Sequence, residues 1–375
     1  MKVLITGANG FVGKNLRLHL AERKDVEVVC YTREHSVDEL PELLDGVGLV
    51  FHLAGINRPP DPAEFAAGNT DLTVALCKAV AEVAETTGLK VPVVFTSSTQ
   101  AALDNPYGAS KRAAEDALFS LRRQYGVPVY VFRLPNVFGK WSKPNYNSAV
   151  ATFCHNIARD LPITVNDPAA PLILVYVEDV LRRFIDLMDG ADAVADTNGF
   201  ELVAPQYTTT VGELARLIQS FKESRQTLLT ERVGIGLVRA LYATYVSHLP
   251  PESFTYTVPM HGDARGVFVE MLKTPDCGQF SYFTAHPGVT RGGHYHHSKT
   301  EKFLVIKGQA LFKFRHMHTG ETHELTTSVE KAEIVETVPG WTHDITNIGS
   351  EEMIVMLWAN EVFDRQSPDT FACPL

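Results

Sequence analysis

Lys2-Val3-Leu4-Ile5-Thr6-Gly7-Ala8-Asn9-Gly10-Phe11-Val12-Gly13 opens the chain and decides how its first half folds. Residues 2–6 form a short apolar strand pattern, and an amphipathic helical pattern follows as far as Glu22. Between them lies Gly-x-x-Gly-x-x-Gly at a strand-to-helix turn. Small residues there let backbone amides approach a pyrophosphate, and the helix amino terminus adds a favourable dipole. The turn predicts a dinucleotide site drawn from Gly7, Asn9, Gly10, Phe11, Val12 and Gly13. Val26 to Tyr31 reads as the second strand. A binder of NAD places an acid near the end of this strand to hold the ribose hydroxyls. Cys30-Tyr31-Thr32-Arg33 supplies none, and Arg33 suits a 2′-phosphate, so NADPH is the expected cofactor.

Leu49 to Leu53 is the next strand pattern, and Leu53-Ala54-Gly55 is a small-residue turn able to pass under a cofactor. His52 sits within the apolar run and reads as a core histidine. A helical segment covers Phe65 to Thr87, with Asn69 on it. Val91 to Ser97 is a strand, and Thr96-Ser97-Ser98-Thr99 lies at its carboxyl end, where doubly wound sheets bind ligands. Tyr107 and Lys111 are one helical turn apart and can face one site. A lysine ammonium beside a phenol favours the phenolate. The phenol can then pass its proton to a carbonyl oxygen as hydride arrives. Ser98 is placed to donate to the same oxygen.

These motifs make residues 1–190 resemble the extended short-chain dehydrogenase/reductase family of nucleotide-sugar enzymes. Tyr107 and Lys111 match its Tyr-x-x-x-Lys, and the strand end aligns Ser98 as the third catalytic residue, with Thr99 its competitor. Arg133-Leu134-Pro135-Asn136-Val137-Phe138-Gly139 resembles the stretch where the family begins to wrap nicotinamide and sugar. The resemblance implies a Rossmann-type doubly wound parallel sheet, with Leu53, Ala54, Gly55, Tyr107 and Lys111 also lining the cofactor. Gln100-Ala101-Ala102 stands where the family often has Tyr-Gly, and it lacks the acid and base that a dehydratase needs after the serine. Further on, Lys140 and Lys143 are candidate diphosphate contacts. Pro162 to Val165 and Leu172 to Val177 read as short strands. Thr210 with Glu213 fits a capping box, and residues 229–246 fit a helix. Pro250-Pro251 ends that pattern and makes 248–252 the expected linker.

From Phe254 the period changes to short strands with Gly and Pro turns, the pattern of an all-β barrel or sandwich. His294 and His296 are two apart, so an extended strand puts both on one face. Glu301 follows after a polar run, and His343 waits downstream in Pro339-Gly340-Trp341-Thr342-His343. Three imidazoles and a carboxylate suit Zn, Fe, Mn or Ni, and one zinc per chain is the foremost expectation. Gly288, His294, His296, Glu301 and Gly308 resemble the first motif of the cupins. The Pro339–His343 stretch with Asn347 resembles the second, in a shortened form. His297 is an alternative ligand or a base beside the metal. This half also looks like the deoxysugar 3,5-epimerases, an RmlC-like cupin β-barrel, through Asp263-Ala264-Arg265-Gly266 and Arg291-Gly292-Gly293-His294-Tyr295. In metal-free relatives of that kind the His294 position is the base. Here the metal motif claims it, which leaves the base of this half open.

Composition sets the outer limits. The 375 residues suit two domains, expected at 1–246 and 247–375, and 45% apolar content supports full cores. A net charge of −10 and no basic stripe disfavour a nucleic-acid partner. A strand pattern from the first residues leaves no room for a signal peptide, and no apolar run is long enough for a membrane span. Five scattered cysteines fit neither a disulfide framework nor a thiolate metal site, as expected of a cytoplasmic protein.

The whole chain resembles the bifunctional epimerase–reductases of capsule biosynthesis, which act in the UDP-N-acetyl-L-fucosamine pathway. That resemblance implies a UDP-linked 4-keto-6-deoxy amino sugar as substrate. The cupin part would epimerise carbon 3 of UDP-2-acetamido-2,6-dideoxy-β-L-arabino-4-hexulose. The reductase part would then reduce the carbon-4 ketone with NADPH to UDP-N-acetyl-6-deoxy-L-talosamine. It also implies a homodimer. The alternatives are a single-activity NADP-dependent reductase or dehydratase with a structural cupin, and a non-enzymatic sensor of dinucleotide or sugar.

Overall fold

In a computed structural model of the chain, internal packing defines two units: Met1–Val137 with Ile173–Thr208, and Phe138–Leu172 with Thr209–Leu375. The structure describes every residue except 62–63, 264–265, 270, 273–277 and 362–365. Ala264 and Arg265 of the anticipated sugar-nucleotide stretch, and Cys277, lie outside the described residues. The boundary expected at 246/247 follows chain order, whereas packing groups 138–172 and 209–246 with the β-rich part.

The first unit is built on β1 (Lys2–Thr6), β2 (Glu27–Tyr31), β3 (Val47–His52), β4 (Val93–Ser98) and β5 (Val129–Leu134). They form one parallel sheet in the order β2-β1-β3-β4-β5. This is the 2-1-3-4-5 doubly wound arrangement, Rossmann-like with one crossover abbreviated. The abbreviation has a local cause. Between β2 and β3 the chain makes only a 3-10 turn, Val37–Glu39, and the four-residue α2 (Leu40–Leu43), after α1 (Phe11–Ala21) has served the first crossover. Both faces of the sheet are covered, so its strands are continuously apolar. Leu4, Val50, Phe95 and Val131 join the core against α3 (Leu72–Thr87) and α4 (Pro106–Tyr125). On the other side Phe184 of α6 (Val177–Met188) meets Phe51 and Phe132 at centroid distances of 5.9 and 5.0 Å. His52 is the core histidine expected: 1% exposed, with its two ring nitrogens on the hydroxyls of Thr6 and Thr73 at 2.6 and 2.8 Å.

The second unit carries α5 (Ala149–Ala158), α7 (Val211–Thr227) and α8 (Gly236–Ser247) before its strands. Three expectations change here. Pro162–Val165 forms no strand, having no pairing partner, although the short strands β6 (Asn136–Phe138), β7 (Pro171–Tyr176) and β8 (Tyr207–Thr210) form before and after it. Thr210 does cap α7 by accepting from the Glu213 N–H at 3.2 Å, but the Glu213 carboxylate binds Arg216 instead of closing the box. The stretch at 248–252 is packed and not a free linker: His248 is buried, and its carbonyl accepts from Arg159 at 2.8 Å.

Beyond α8 come β9 (Thr255–Thr257), β10 (Met260–Asp263), β11 (Gly266–Val269), β12 (Gln279–Ala285), β13 (Thr290–Tyr295) and β14 (Glu301–Lys307). They are followed by β15 (Gln309–His316), β16 (Thr322–Ser328), β17 (Glu333–Glu336), β18 (Trp341–Asn347), β19 (Met353–Ala359) and β20 (Phe371–Ala372). Two five-stranded antiparallel sheets result, β12-β19-β14-β17-β9 and β16-β15-β18-β13-β20, and the described residues close no ring of strands. Phe303 of the first sheet packs on Phe312 of the second at 5.6 Å, so the core lies between them. The helices are tied to the first sheet by a buried charge network. Glu336 takes the Lys302 ammonium, the Arg225 guanidinium at 2.6 Å and the Tyr242 hydroxyl at 3.3 Å. Burial alone would raise the Glu336 carboxyl, but Lys302 and Arg225 hold it below the usual range. A charge buried this deeply is tolerated only with such partners.

Candidate active sites

The glycine turn has the form the sequence requires. Gly7 has φ +69, and a Cβ there would lie 2.6 Å from the Ala54 nitrogen. A Cβ on Gly13 would lie 2.3 Å from the Gly7 carbonyl oxygen. No side chain caps the amino terminus of α1, whose N-cap is Gly10, so its first amides remain available to an anion. Asn9, Gly10, Phe11 and Val12 form the exposed or half-buried rim of this turn. Asn9 Oδ1 accepts from Arg17 at 2.9 Å. Leu53, Ala54 and Gly55 leave β3 beside it, and the Ala54 N–H donates to the Thr6 hydroxyl at 3.2 Å. Arg33 lies exposed in the turn after β2, and no acid ends that strand. The glycine turn and the small-residue turn after β3 fit a dinucleotide.

Ser98 ends β4, half-buried, and its hydroxyl accepts from the Gln100 N–H at 3.2 Å. Thr99 is exposed, whereas Ser97 turns into the core to bond Glu115. Tyr107 and Lys111 lie in the first turns of α4, after an Asn105 side-chain cap and Pro106. Tyr107 is half-buried, with the Phe65 ring 5.7 Å away. Lys111 is 4% exposed and donates to the Thr96 carbonyl at 3.0 Å, which aims its ammonium at the carboxyl end of β4. Burial lowers Lys111 to about 8, against the opposing charge of Glu115. Glu115 is clamped by Arg133 through two hydrogen bonds of 2.9 and 2.6 Å.

Asn69 is a contributor that sequence reading placed without a role. It sits in a π-helical turn, Ala66–Asp71, a form common at functional sites. Its side chain is buried, accepts from the Ile56 N–H at 2.8 Å and donates to Ser110 at 3.0 Å, so it fixes the 55–56 turn against α4. A polar residue at a core-facing helical position was the available signal.

In the second unit four side chains converge. The ligand atoms of His294, His296, Glu301 and His343 all lie within 4.8 Å of one another. His294 reaches the group through a bulge. Gly292 and Gly293 have φ +99 and +70, the register shifts there, and His294 comes opposite His343 of β18. Glu301 enters from the facing sheet, with Oε2 at 3.3 Å from His296 Nε2 and 3.7 Å from His343 Nε2. His343 is 2% exposed, yet neither ring nitrogen has a hydrogen-bond partner. A buried imidazole without a partner calls for an ion. Burial, then His343 and His296, lowers His294 to about 4, so it stays a neutral donor. Burial alone would raise the Glu301 carboxyl, but His296, His343 and Lys299 hold it well below its ordinary value. Neutral imidazoles with a carboxylate, and no thiolate, fit a divalent cation. His297 does not join the four; its Nδ1 lies 3.2 Å from Lys140 Nζ. Lys140 is therefore buried against a histidine, at 1% exposure, and is not an exposed diphosphate contact.

Comparison with known proteins agrees with this two-part construction. The NAD dependent epimerase/dehydratase family matches residues 3–198, and the polysaccharide biosynthesis C-terminal domain matches residues 261–371. A Pseudomonas aeruginosa protein named UDP-2-acetamido-2,6-beta-L-arabino-hexul-4-ose reductase is 64% identical over 374 residues, covering 100% of this chain and 98% of its own. The crystal structure of CapF, a capsular polysaccharide assembling protein from Staphylococcus aureus, is 40% identical, covers both chains fully and has a TM-score of 0.68. UDP-glucuronic acid 4-epimerase from Bacillus cereus, at 15% identity, covers 66% of this chain and 99% of its own with a TM-score of 0.54, a likeness of fold. No helix among the described residues is long and apolar enough to cross a membrane. The chain belongs to the NAD dependent epimerase/dehydratase family, whose nicotinamide cofactor it is built to hold, in the branch that carries a polysaccharide biosynthesis C-terminal domain and includes CapF.

Proposed function

We propose that the chain is a bifunctional, cytoplasmic nucleotide-sugar enzyme. Residues 247–375, a metal-binding cupin, epimerise carbon 3 of UDP-2-acetamido-2,6-dideoxy-β-L-arabino-4-hexulose. Residues 1–246 then reduce the carbon-4 ketone to UDP-N-acetyl-6-deoxy-L-talosamine. The observation that carries this reading is the presence of two separate sets of reactive groups in one chain: Tyr107 with buried Lys111, and the quartet around buried His343. The full-length likeness to a protein named as the reductase of this 4-keto sugar supports the substrate.

The order follows from the chemistry. A ketone at carbon 4 acidifies the proton on carbon 3, and reduction removes that activation, so epimerisation comes first. NADPH, when bound, supplies the hydride for carbon 4. Tyr107 gives the oxygen its proton, Lys111 stabilises the phenolate left behind, and Ser98 donates to the oxygen as charge grows. A divalent ion, when held by His294, His296, Glu301 and His343, supplies a Lewis-acid charge for the carbon-3 step. Each of those side chains serves as a ligand, so the base that takes the carbon-3 proton lies outside the quartet.

NADPH is expected to bind at least about tenfold more tightly than NADH, about 1.4 kcal/mol. Arg33→Ala should erase most of that preference. Equal dissociation constants for the two cofactors in the unmodified protein would end the assignment. The working form is a homodimer; light scattering at micromolar concentration should give twice the 41.4 kDa chain mass, and a monomeric mass would refute it. The decisive test of the function is incubation with the UDP-4-keto sugar, with and without NADPH, and NMR of the products.

A further inference from the structure

The turn that carries two of the four donors is held by a residue far along the chain. Residues 296–300 join β13 to β14, with His296 at the start and Glu301 just beyond. The Asp369 carboxylate lies against this turn. Its Oδ1 accepts from the His297 N–H at 2.8 Å, and its Oδ2 accepts from the Ser298 and Lys299 N–H groups at 2.7 Å each. The Ser298 hydroxyl adds a fourth hydrogen bond at 2.9 Å. Successive backbone N–H groups closing on one anion make a nest. The Asp369 main-chain oxygen also faces His296 Nδ1 at 2.5 Å. A carbonyl can only accept, so Nδ1 carries a proton, and Nε2 is the nitrogen turned toward Glu301 as the donor atom for an ion. At the far end Lys299 Nζ lies 2.7 Å from Glu301 Oε1, which leaves Oε2 as the oxygen nearest His296 and His343.

We propose that Asp369 is the positioning residue of the metal centre, and that residues 369–372 form a latch that orders the ligand-bearing turn. The inference rests on the reading that the quartet binds a divalent ion. A further observation supports a latch over a single contact. The same short segment continues into β20, which pairs with β13 at His294–Ala372 and Tyr295–Phe371. The tail therefore braces three ligands: His294 through the strand pairing, His296 through its ring nitrogen, and Glu301 through the turn that ends in Lys299. With the nest in place, three amides that would otherwise need water are satisfied and two ligands stand in fixed orientation. Without it, metal binding must also order the turn, which weakens affinity. Partners of this kind are worth about 10–100-fold in metal affinity.

The test is zinc affinity by competition with a chromogenic chelator. Asp369→Asn keeps the size but replaces an acceptor oxygen with an amide, and should weaken zinc binding about 10–100-fold. The metal-free thermal transition, recorded alongside, establishes that the variant is folded. Cobalt loaded into the same site reports ligand geometry, and its absorption spectrum should change in the variant. A second measurement needs no variant. In metal-free wild-type protein at alkaline pH, nitrogen-15 NMR should find His296 protonated on Nδ1. Unchanged zinc affinity in folded Asp369→Asn would overturn the proposal, and so would a His296 proton on Nε2. Wild-type protein that takes up no zinc would remove the metal reading itself and the latch with it, which is a different result from intact binding that ignores Asp369.

Discussion

Tyr107→Phe is expected to lose ketone reduction by on the order of 10²–10⁴-fold, the usual range for a positioned acid, while binding NADPH as before. The hydroxyl is removed, but the ring that meets Phe65 and the glycine turn are not disturbed. Lys111 fixes the pH dependence. Its ammonium, buried at 4% exposure, is lowered to about 8 by burial, with Glu115 opposing the shift. Reduction needs a protonated phenol beside a charged ammonium. The rate should therefore hold below that value and fall as pH rises through it, because neutral Lys111 no longer favours the phenolate. Lys111→Met should remove this limb along with most of the turnover. A Tyr107→Phe enzyme that reduces the 4-keto sugar at the wild-type rate would exclude Tyr107 as the acid.

Removing the divalent ion carries the second large effect. His343 brings to the quartet a buried ring without a hydrogen-bond partner, and its ligand atom lies within 4.8 Å of those of the other three donors. Lewis-acid stabilisation of developing charge supplies several kcal/mol, so chelation should slow exchange of the carbon-3 proton by at least about a hundredfold. NADPH binding should persist, since Gly7, Arg33 and Lys111 belong to the other unit. Exchange that survives in folded, metal-free protein would assign the ion a role in holding the strands, a coupling common for metal sites.

What the sequence disclosed was local, and what it concealed was tertiary. The glycine turn, the spacing of Tyr107 and Lys111, and the pairing of His294 with His296 are short-range patterns; the structure gives Gly7 its positive φ, sets Tyr107 and Lys111 one turn apart on α4, and draws His294 and His296 into one group. β16 carries little strand signal in the sequence, because Thr322–Ser328 is polar with one large apolar residue, and its place is set by pairing with β15. Residues 229–235 share the apolar content of α8, but the helix starts only at Gly236. Pro162–Val165 has the composition of a strand and no partner to make it one. Lys140 read as a candidate diphosphate contact, yet packing buries it beside His297. Asp369 gave no signal at all, since its contacts are with residues about 70 positions earlier in the chain.

The central claim is that one chain performs epimerisation and then reduction. Tyr107→Phe protein, metal-replete and without NADPH, isolates the first step. Incubated in deuterium oxide with the UDP-4-keto sugar and followed by NMR, it should wash deuterium into carbon 3 while the ketone remains. Wild-type protein given NADPH under the same conditions should then yield the reduced sugar with deuterium at carbon 3. Reduced product that keeps its carbon-3 proton, together with no exchange in the Tyr107→Phe protein, would contradict the account and leave a reductase with a β-domain that takes no part in the chemistry.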